Sequence, residues 1–444
     1  MYAHLHSVSR RLLPVWIHNR LIGDWDKNGF KKYFQNTGWI FLAKMVTFVV
    51  SFFTIAMVAR YLGPENYGKL SYAQSFVGIF SIFASLGIDQ ILYRDLVAHP
   101  EREFEILGTS FVAKLVFGSL TFVVTVFSAY CINTDPILTW MIGIVALTFL
   151  LQPLGILSFF FQARVQAKYA SIISIVLAFL IPALKLLIIT LHAGILYFSA
   201  LIVLEAIILA LFNVYLYVTV FKNNPLEWGY SRTFFKKLAL DSLPLLLAGF
   251  SSYLYGRIDQ VMIQHFLNSA SVGLFDAAVR LTEIWGFFPG IFITSLFPAI
   301  VNARNHNHAE YVKRFITLSG FSLALAGTIA AGVCITAPLI IHILFGPQFH
   351  ESVAILRIYI WSQVGVIAVT LMQSYLITEN KTTRILLLTS LGALVNISLN
   401  WQLIPRFGIY GAAYTTLISY VILLFVFFIT ERRAFLQVHH HHSK

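Results

Sequence analysis

The sequence predicts an all-α polytopic membrane protein, with twelve transmembrane helices in two six-helix halves around a central cavity, and three observations predict it. Of 444 residues, 58% are hydrophobic and 11% charged, with a mean hydropathy of +0.78; soluble domains run near half apolar and about a quarter charged. The apolar residues arrive in runs of about 20, long enough as helices to cross a hydrocarbon core of roughly 30 Å. A stretch after the first run is echoed after the seventh.

In chain order, residues 1–36 mix Arg and Lys with Leu12, Leu13, Trp16, Ile17, Leu21, Ile22 and Trp25, without the apolar core or cleavage site of a signal peptide. The segment reads as an interfacial amphipathic stretch on the cytoplasmic face, with a disordered basic tail as the alternative. Apolar runs at 37–60, 71–92, 106–130, 137–160, 169–191 and 195–221 make an N-terminal half, 37–221. A cytoplasmic linker, 222–238, follows with Lys222, Arg232, Lys236 and Lys237. Runs at 239–263, 273–300, 315–338, 352–377, 384–404 and 409–430 make a C-terminal half, 239–430, where the long eighth run can tilt or kink at Pro289. The tail 431–444 carries His439–His442, which suits a tag remnant or a solvated tail better than a metal site.

A formal charge of +12 raises nucleic acid or an anionic surface as partners. The placement of the cations answers this: with a cytoplasmic N-terminus, 22 of the 31 Lys and Arg fall on the cytoplasmic side. The positive-inside rule then puts both ends in the cytoplasm, and no nucleic acid is needed to explain the excess. Cys131 and Cys334 are the only cysteines and lie in opposite halves, so neither a disulfide framework nor a Cys-based zinc site is expected.

The echo pairs 62–73 with 267–278 at an offset of 205, matching Leu62 with Leu267, Gly68 with Gly273, Leu70 with Phe275 and Ala73 with Ala278. Two halves with an even number of helices share orientation, so an axis along the membrane normal relates them and a cavity between them can open to either side. That is the plan of a transporter.

A charge at mid-membrane costs at least about 2.5–3.5 kcal/mol, so each one needs a partner, a wet cavity or a function. The apolar runs hold six cations, Lys44, Lys114, Lys185, Arg257, Arg280 and Arg357, and five acids, Glu205, Asp241, Asp259, Asp276 and Glu283. Lys44 shares a helical face with Thr47, Ser51 and Thr54, and Lys114 with Ser110, Thr121 and Thr125. Asp276, Arg280 and Glu283 stand at i, i+4 and i+7. Glu205 has apolar neighbours and no obvious partner, so it reads as a protonated buried acid or a proton carrier. Asp241 and Lys44 can snorkel to an interface, Arg257 can pair with Asp259, and Asn396 with Asn400 reads as packing between helices. The small cationic surplus favours an anionic cargo, and Arg forks suit phosphate or diphosphate oxygens.

The run Val58-Ala-Arg-Tyr-Leu-Gly-Pro-Glu-Asn-Tyr-Gly68, with Gly87-Ile-Asp89, resembles the opening of bacterial Wzx-type polysaccharide and O-antigen flippases, of the multidrug/oligosaccharidyl-lipid/polysaccharide exporter superfamily. Arg280-Leu-Thr-Glu-Ile-Trp285 with Phe288-Pro289 and Phe297-Pro298 resembles the family's eighth helix. Asn396, Leu399 and Asn400 with Ile404-Pro405, Gly408 and Gly411-Ala-Ala413 resemble its last hairpin, so the likeness spans about 37–430.

The resemblance implies a flippase that moves an undecaprenyl-diphosphate-linked oligosaccharide across the bacterial inner membrane by alternating access, with membrane lipid around its polyprenyl tail. It implies diphosphate-binding roles for Lys44, Lys114, Arg257 and Arg280. The acids inside the bilayer, Glu205, Asp259, Asp276 and Glu283, read as a coupling or charge network, with H+ or Na+ as candidate coupling ions and no other cofactor. Polysaccharide polymerase and chain-length machinery are implied partners. Related lipid II flippases carry two further helices, whereas this chain ends after twelve.

Two rivals remain in view. An ion-coupled multidrug exporter of the same superfamily needs an acidic, aromatic lumen for organic cations. A polytopic O-antigen polymerase or glycosyltransferase would be an enzyme; Asp24 and Asp26 spell a metal-binding Asp-x-Asp, but no sizeable loop is available for an acceptor site. No P-loop, His-Glu-x-x-His or dinucleotide-binding glycine pattern occurs, so neither ATP coupling nor catalysis within the chain is expected.

Overall fold

The computed structural model describes residues 27–306 and 308–441, and every regular element among them is helical. The segment 1–26 and His442 lie outside the described residues. Among the described residues, ten stretches are long and apolar enough to cross a membrane. The first, Leu42–Ala98, holds two crossings, because the helix Lys27–Ser85 breaks at Gly63, whose φ of 69° ends one helix while Pro64 starts the next. The helix Ser269–His306, about 57 Å long at 1.5 Å per residue, supplies the remaining crossing and brings the total to twelve.

The second crossing differs from the expected 71–92. It begins at Pro64 and stops at Ser85, where Leu86 and Gly87 both take positive φ; a separate helix, Asp89–Ala98, lies beyond. Gly63-Pro64 reverses the chain without a loop, so helix resumes at once between the two apolar stretches. The seventh crossing, Arg232–Phe266, starts inside the expected linker, capped by the Ser231 hydroxyl, which accepts from the Phe234 amide.

Successive crossings alternate in direction, so the bundle has two ends. The Gly63 end also carries the connections at 133–135, 191–195 and 345–351. The opposite end, named here for Gly87, carries 99–102, 164–166, 220–231 and 379–381. Asp135 at the Gly63 end is held below the usual carboxylate range, chiefly by the Lys69 ammonium 2.8 Å away. The Gly87 end is laced by Arg164 and Asn223 on Glu103, Arg304 on Glu379, and Lys381 and Arg384 on Glu431.

The third crossing, Glu103–Ile132, shows how the sequence sets its own rotation. Val116, Leu120, Val123 and Phe127 form an outward apolar stripe at helical spacing, while Lys114, Thr121 and Thr125 are buried inward. In water that stripe would be an aggregation surface; against lipid tails it costs nothing. Cys131 is exposed and Cys334 partly so, and both are free thiols.

The two halves meet where the second and eighth crossings begin. A Cβ on Gly68 would lie 1.7 Å from the Ser269 carbonyl oxygen, and one on Gly273 would lie 2.0 Å from that of Pro64. Residues 64 and 269, like 68 and 273, are equivalents at the sequence offset of 205. Each half therefore presents the same small-residue patch to the other across a local pseudo-two-fold axis.

Candidate functional site

A cavity of about 1170 Å³ opens inside the N-terminal half. The first crossing gives it Lys44, Thr47, Ser51 and Thr54, the polar stripe expected from their spacing. The fifth, Ala167–Thr190, gives Ser171, Ser174 and Lys185; the sixth, Leu196–Thr219, gives Glu205. The second gives Tyr67, Ser71 and Gln74, and Arg280 reaches in from the other half. Among the described residues its lining thus holds three cations, Lys44, Lys185 and Arg280, against the single acid Glu205.

Arg280 is held from two sides. Its Nε donates to Asp276 Oδ2 at 3.4 Å, one turn back on its own helix, and its Nη2 donates to Gln74 Oε1 at 3.4 Å across the interface. Both bonds are long and therefore weak, and Nη1 has no partner among the described residues. The side chain, 25% exposed, keeps donors free for a ligand in the cavity.

Asp276, fully buried, is the post on which this rests. It accepts from the Tyr67 hydroxyl at 2.8 Å, the Ser71 hydroxyl at 2.7 Å and the Gln260 amide, with Arg257 Nη1 at 3.9 Å. Ser71 and Asp276 are themselves 205 residues apart, so equivalent positions of the two halves touch at the pseudo-axis. A buried carboxylate with this many donors neither leaves an orphan charge nor needs to move.

Of the expected diphosphate-binding cations, Lys44 and Arg280 therefore share the cavity. Arg257 instead pairs with Glu283 at 2.9 Å, and Lys114 pairs with Asp89 in a separate pocket. Glu283 takes Arg257 on the seventh crossing as its partner, and Arg257 also approaches Asp276, so the stripe joins that helix in one charge cluster. Asp259 does not pair with Arg257: it accepts from Asn400 and from Thr416 at 2.8 Å, and Asn400 also donates to Asn396 at 3.0 Å. Glu205, for which the sequence offered no partner, faces Lys185 across the cavity within coulombic range. Asp241 lies 3.8 Å from Arg94.

Sequence reasoning passed over Lys185 as a site residue. The signal was present: Ser171, Ser174, Ala178, Ile181 and Lys185 recur at three- and four-residue steps, one small and polar helix face. Gln74 and Gln260 carried no such signal, because Gln74 reaches Arg280 only where the halves pack and Gln260 reaches Asp276 only through the packing of the seventh crossing on the eighth.

Residues 33–304 match the family described as polysaccharide biosynthesis protein, well over half of the chain. A curated relative, "Probable flippase AglR" of Haloferax volcanii, is 28% identical over 171 residues, covering 37% of this chain and 35% of that one. The chain thus aligns with about a third of that relative's length. Among solved structures, the lipid II flippase MurJ in an inward closed conformation superposes with a TM-score of 0.74 at 12% identity, over 89% of both chains. An inward-facing multidrug resistance transporter of the MATE family, in the MOP superfamily, superposes with a TM-score of 0.72 at 14% identity, over 87% of this chain and 95% of that one. Both likenesses are of fold.

Proposed function

The chain belongs to the polysaccharide biosynthesis protein family, and from that premise we propose that it is a flippase, carrying an undecaprenyl-diphosphate-linked oligosaccharide across the bacterial inner membrane. The observation that carries the reading is the charge of the cavity, three cations against one acid, with Arg280 keeping part of its fork unused. Cations in a low-dielectric cavity hold a diphosphate far more strongly than they would in water. The same lining works against the rival cargo, an organic cation, which would meet like charge.

In this reading the headgroup enters from the Gly87 end, which faces the cytoplasm together with both termini, and the polyprenyl tail stays in lipid. The halves then part at the Gly68–Gly273 contact, and the cavity opens at the Gly63 end. Arg280 sits one to two turns from that crossing on the eighth span and touches both halves, so it binds cargo at the moving joint. Transport of this kind breaks no covalent bond, and the chain acts as a carrier and not an enzyme.

Two experiments test the assignment. Deleting the gene should cause the lipid-linked oligosaccharide to accumulate with its sugars on the cytoplasmic leaflet, and the restored gene should clear it; a wild-type distribution in the deletion strain excludes the role. A reporter fused at residue 230 should score cytoplasmic and one at 193 periplasmic. The reverse pattern would invert the entry side.

A further inference from the structure

Beside the main cavity, and sharing the wall residue Leu209 with it, lies a second pocket of about 480 Å³ between the second, third, fourth and sixth crossings. Its size falls in the range of small-molecule sites, about 300–1,000 Å³. Its chemistry differs from that of its neighbour. The Lys114 ammonium, nearly buried, is bonded to Asp89 and lies 5.8 Å from the centroid of the Phe159 ring, so the one charge pair in the lining cancels. Neither a phosphate nor a cation finds an uncompensated partner there.

What the pocket offers is neutral hydrogen bonding. Asn213 is 1% exposed and lines it, and neither its Nδ2 nor its Oδ1 has a partner. Gln152, set in the short 3-10 turn Gln152–Gly155 that interrupts the fourth crossing, lines it too, with its Oε1 unpartnered. A buried Asn213 carboxamide and a buried Gln152 Oε1, all without partners, are costly in a membrane protein unless something polar meets them. Hydroxyls of Ser81 and Ser158 also line the pocket, each donating to its own helix backbone and keeping acceptor capacity free.

We propose that this pocket is a sugar subsite: a neutral sugar ring of the cargo, rich in hydroxyls that both donate and accept, docks on Asn213 and Gln152 while the diphosphate stays on Lys44, Lys185 and Arg280 next door. The proposal rests on the flippase reading. It divides recognition between a charged cavity that reads the carrier and a neutral pocket that reads the glycan.

The test measures binding of two probes to the purified full chain in nanodiscs: undecaprenyl diphosphate, and the same lipid carrying a disaccharide of neutral hexoses. The parent should bind the glycosylated probe at least about tenfold more tightly, a ratio of the size expected when buried polar groups lose their partners. Asn213→Leu, and independently Gln152→Leu, should erase that preference and leave affinity for the bare diphosphate within about twofold. If the parent prefers neither probe, or the preference survives both substitutions, the subsite is overturned while diphosphate binding stands. Equal loss for both probes would make Asn213 a structural residue only. If the parent binds neither probe, the flippase reading itself fails.

Discussion

Arg280→Ala should abolish transport, and Arg280→Lys should retain a fraction of it. Truncating one partner of a buried, hydrogen-bonded charge pair costs about 2–5 kcal/mol, roughly 30- to 5,000-fold in binding. Lysine preserves the charge but not the fork, so it cannot hold Asp276, Gln74 and a diphosphate together; a loss of about tenfold is expected. The competing account is that Arg280 only neutralises Asp276, which also meets Arg257. The double variant Arg280→Met with Asp276→Asn separates the two, since it removes both charges and leaves Asp276's carbonyl acceptor for Tyr67 and Ser71. Inserted at normal levels, it should still fail to complement a deletion strain. Parent-like complementation would reduce Arg280 to a structural ion pair.

The second large effect is expected at the helix crossing. Gly273→Leu would drive a side chain into the Pro64 carbonyl, and because the obstacle is backbone no rotamer relieves the clash. The halves must part at the Gly63 end, which would stretch the Tyr67 and Ser71 bonds to Asp276. Overpacking costs about 1–3 kcal/mol or more, so a lowered unfolding temperature in detergent and loss of transport are both expected. Gly327→Ala, with nothing within 4 Å of the added Cβ, is the control and should leave both unchanged. If Gly273→Ala proves as harmless as Gly327→Ala, the close crossing is not where the halves are joined.

Much of this was legible in the sequence, for reasons that differ by element. The polar stripe of Lys44, Thr47, Ser51 and Thr54 was readable because helical spacing fixes a shared face. The offset-205 echo was readable because its glycines are packing requirements: Gly68 and Gly273 match in sequence and meet in space. Partner choice was not readable. Glu283 with Arg257, Lys114 with Asp89, and Glu205 with Lys185 each depend on how one helix is rotated against another, which spacing along one helix cannot set. The Gly63-Pro64 kink was hidden because the same dipeptide marks a loop in one context and a helix restart in another.

The central claim, that a cationic cavity joined to a moving interface carries a lipid-linked diphosphate glycan between leaflets, is tested most directly in proteoliposomes. The vesicles hold the purified protein and undecaprenyl-diphosphate-linked oligosaccharide, and a membrane-impermeant glycosidase added outside reports the exposed fraction over time. With the parent protein, the protected inner-leaflet pool should become accessible while the vesicles stay sealed; with Arg280→Ala it should stay protected, as in protein-free vesicles. Protection unchanged by the parent protein, or equal rates with parent and Arg280→Ala, would contradict the account.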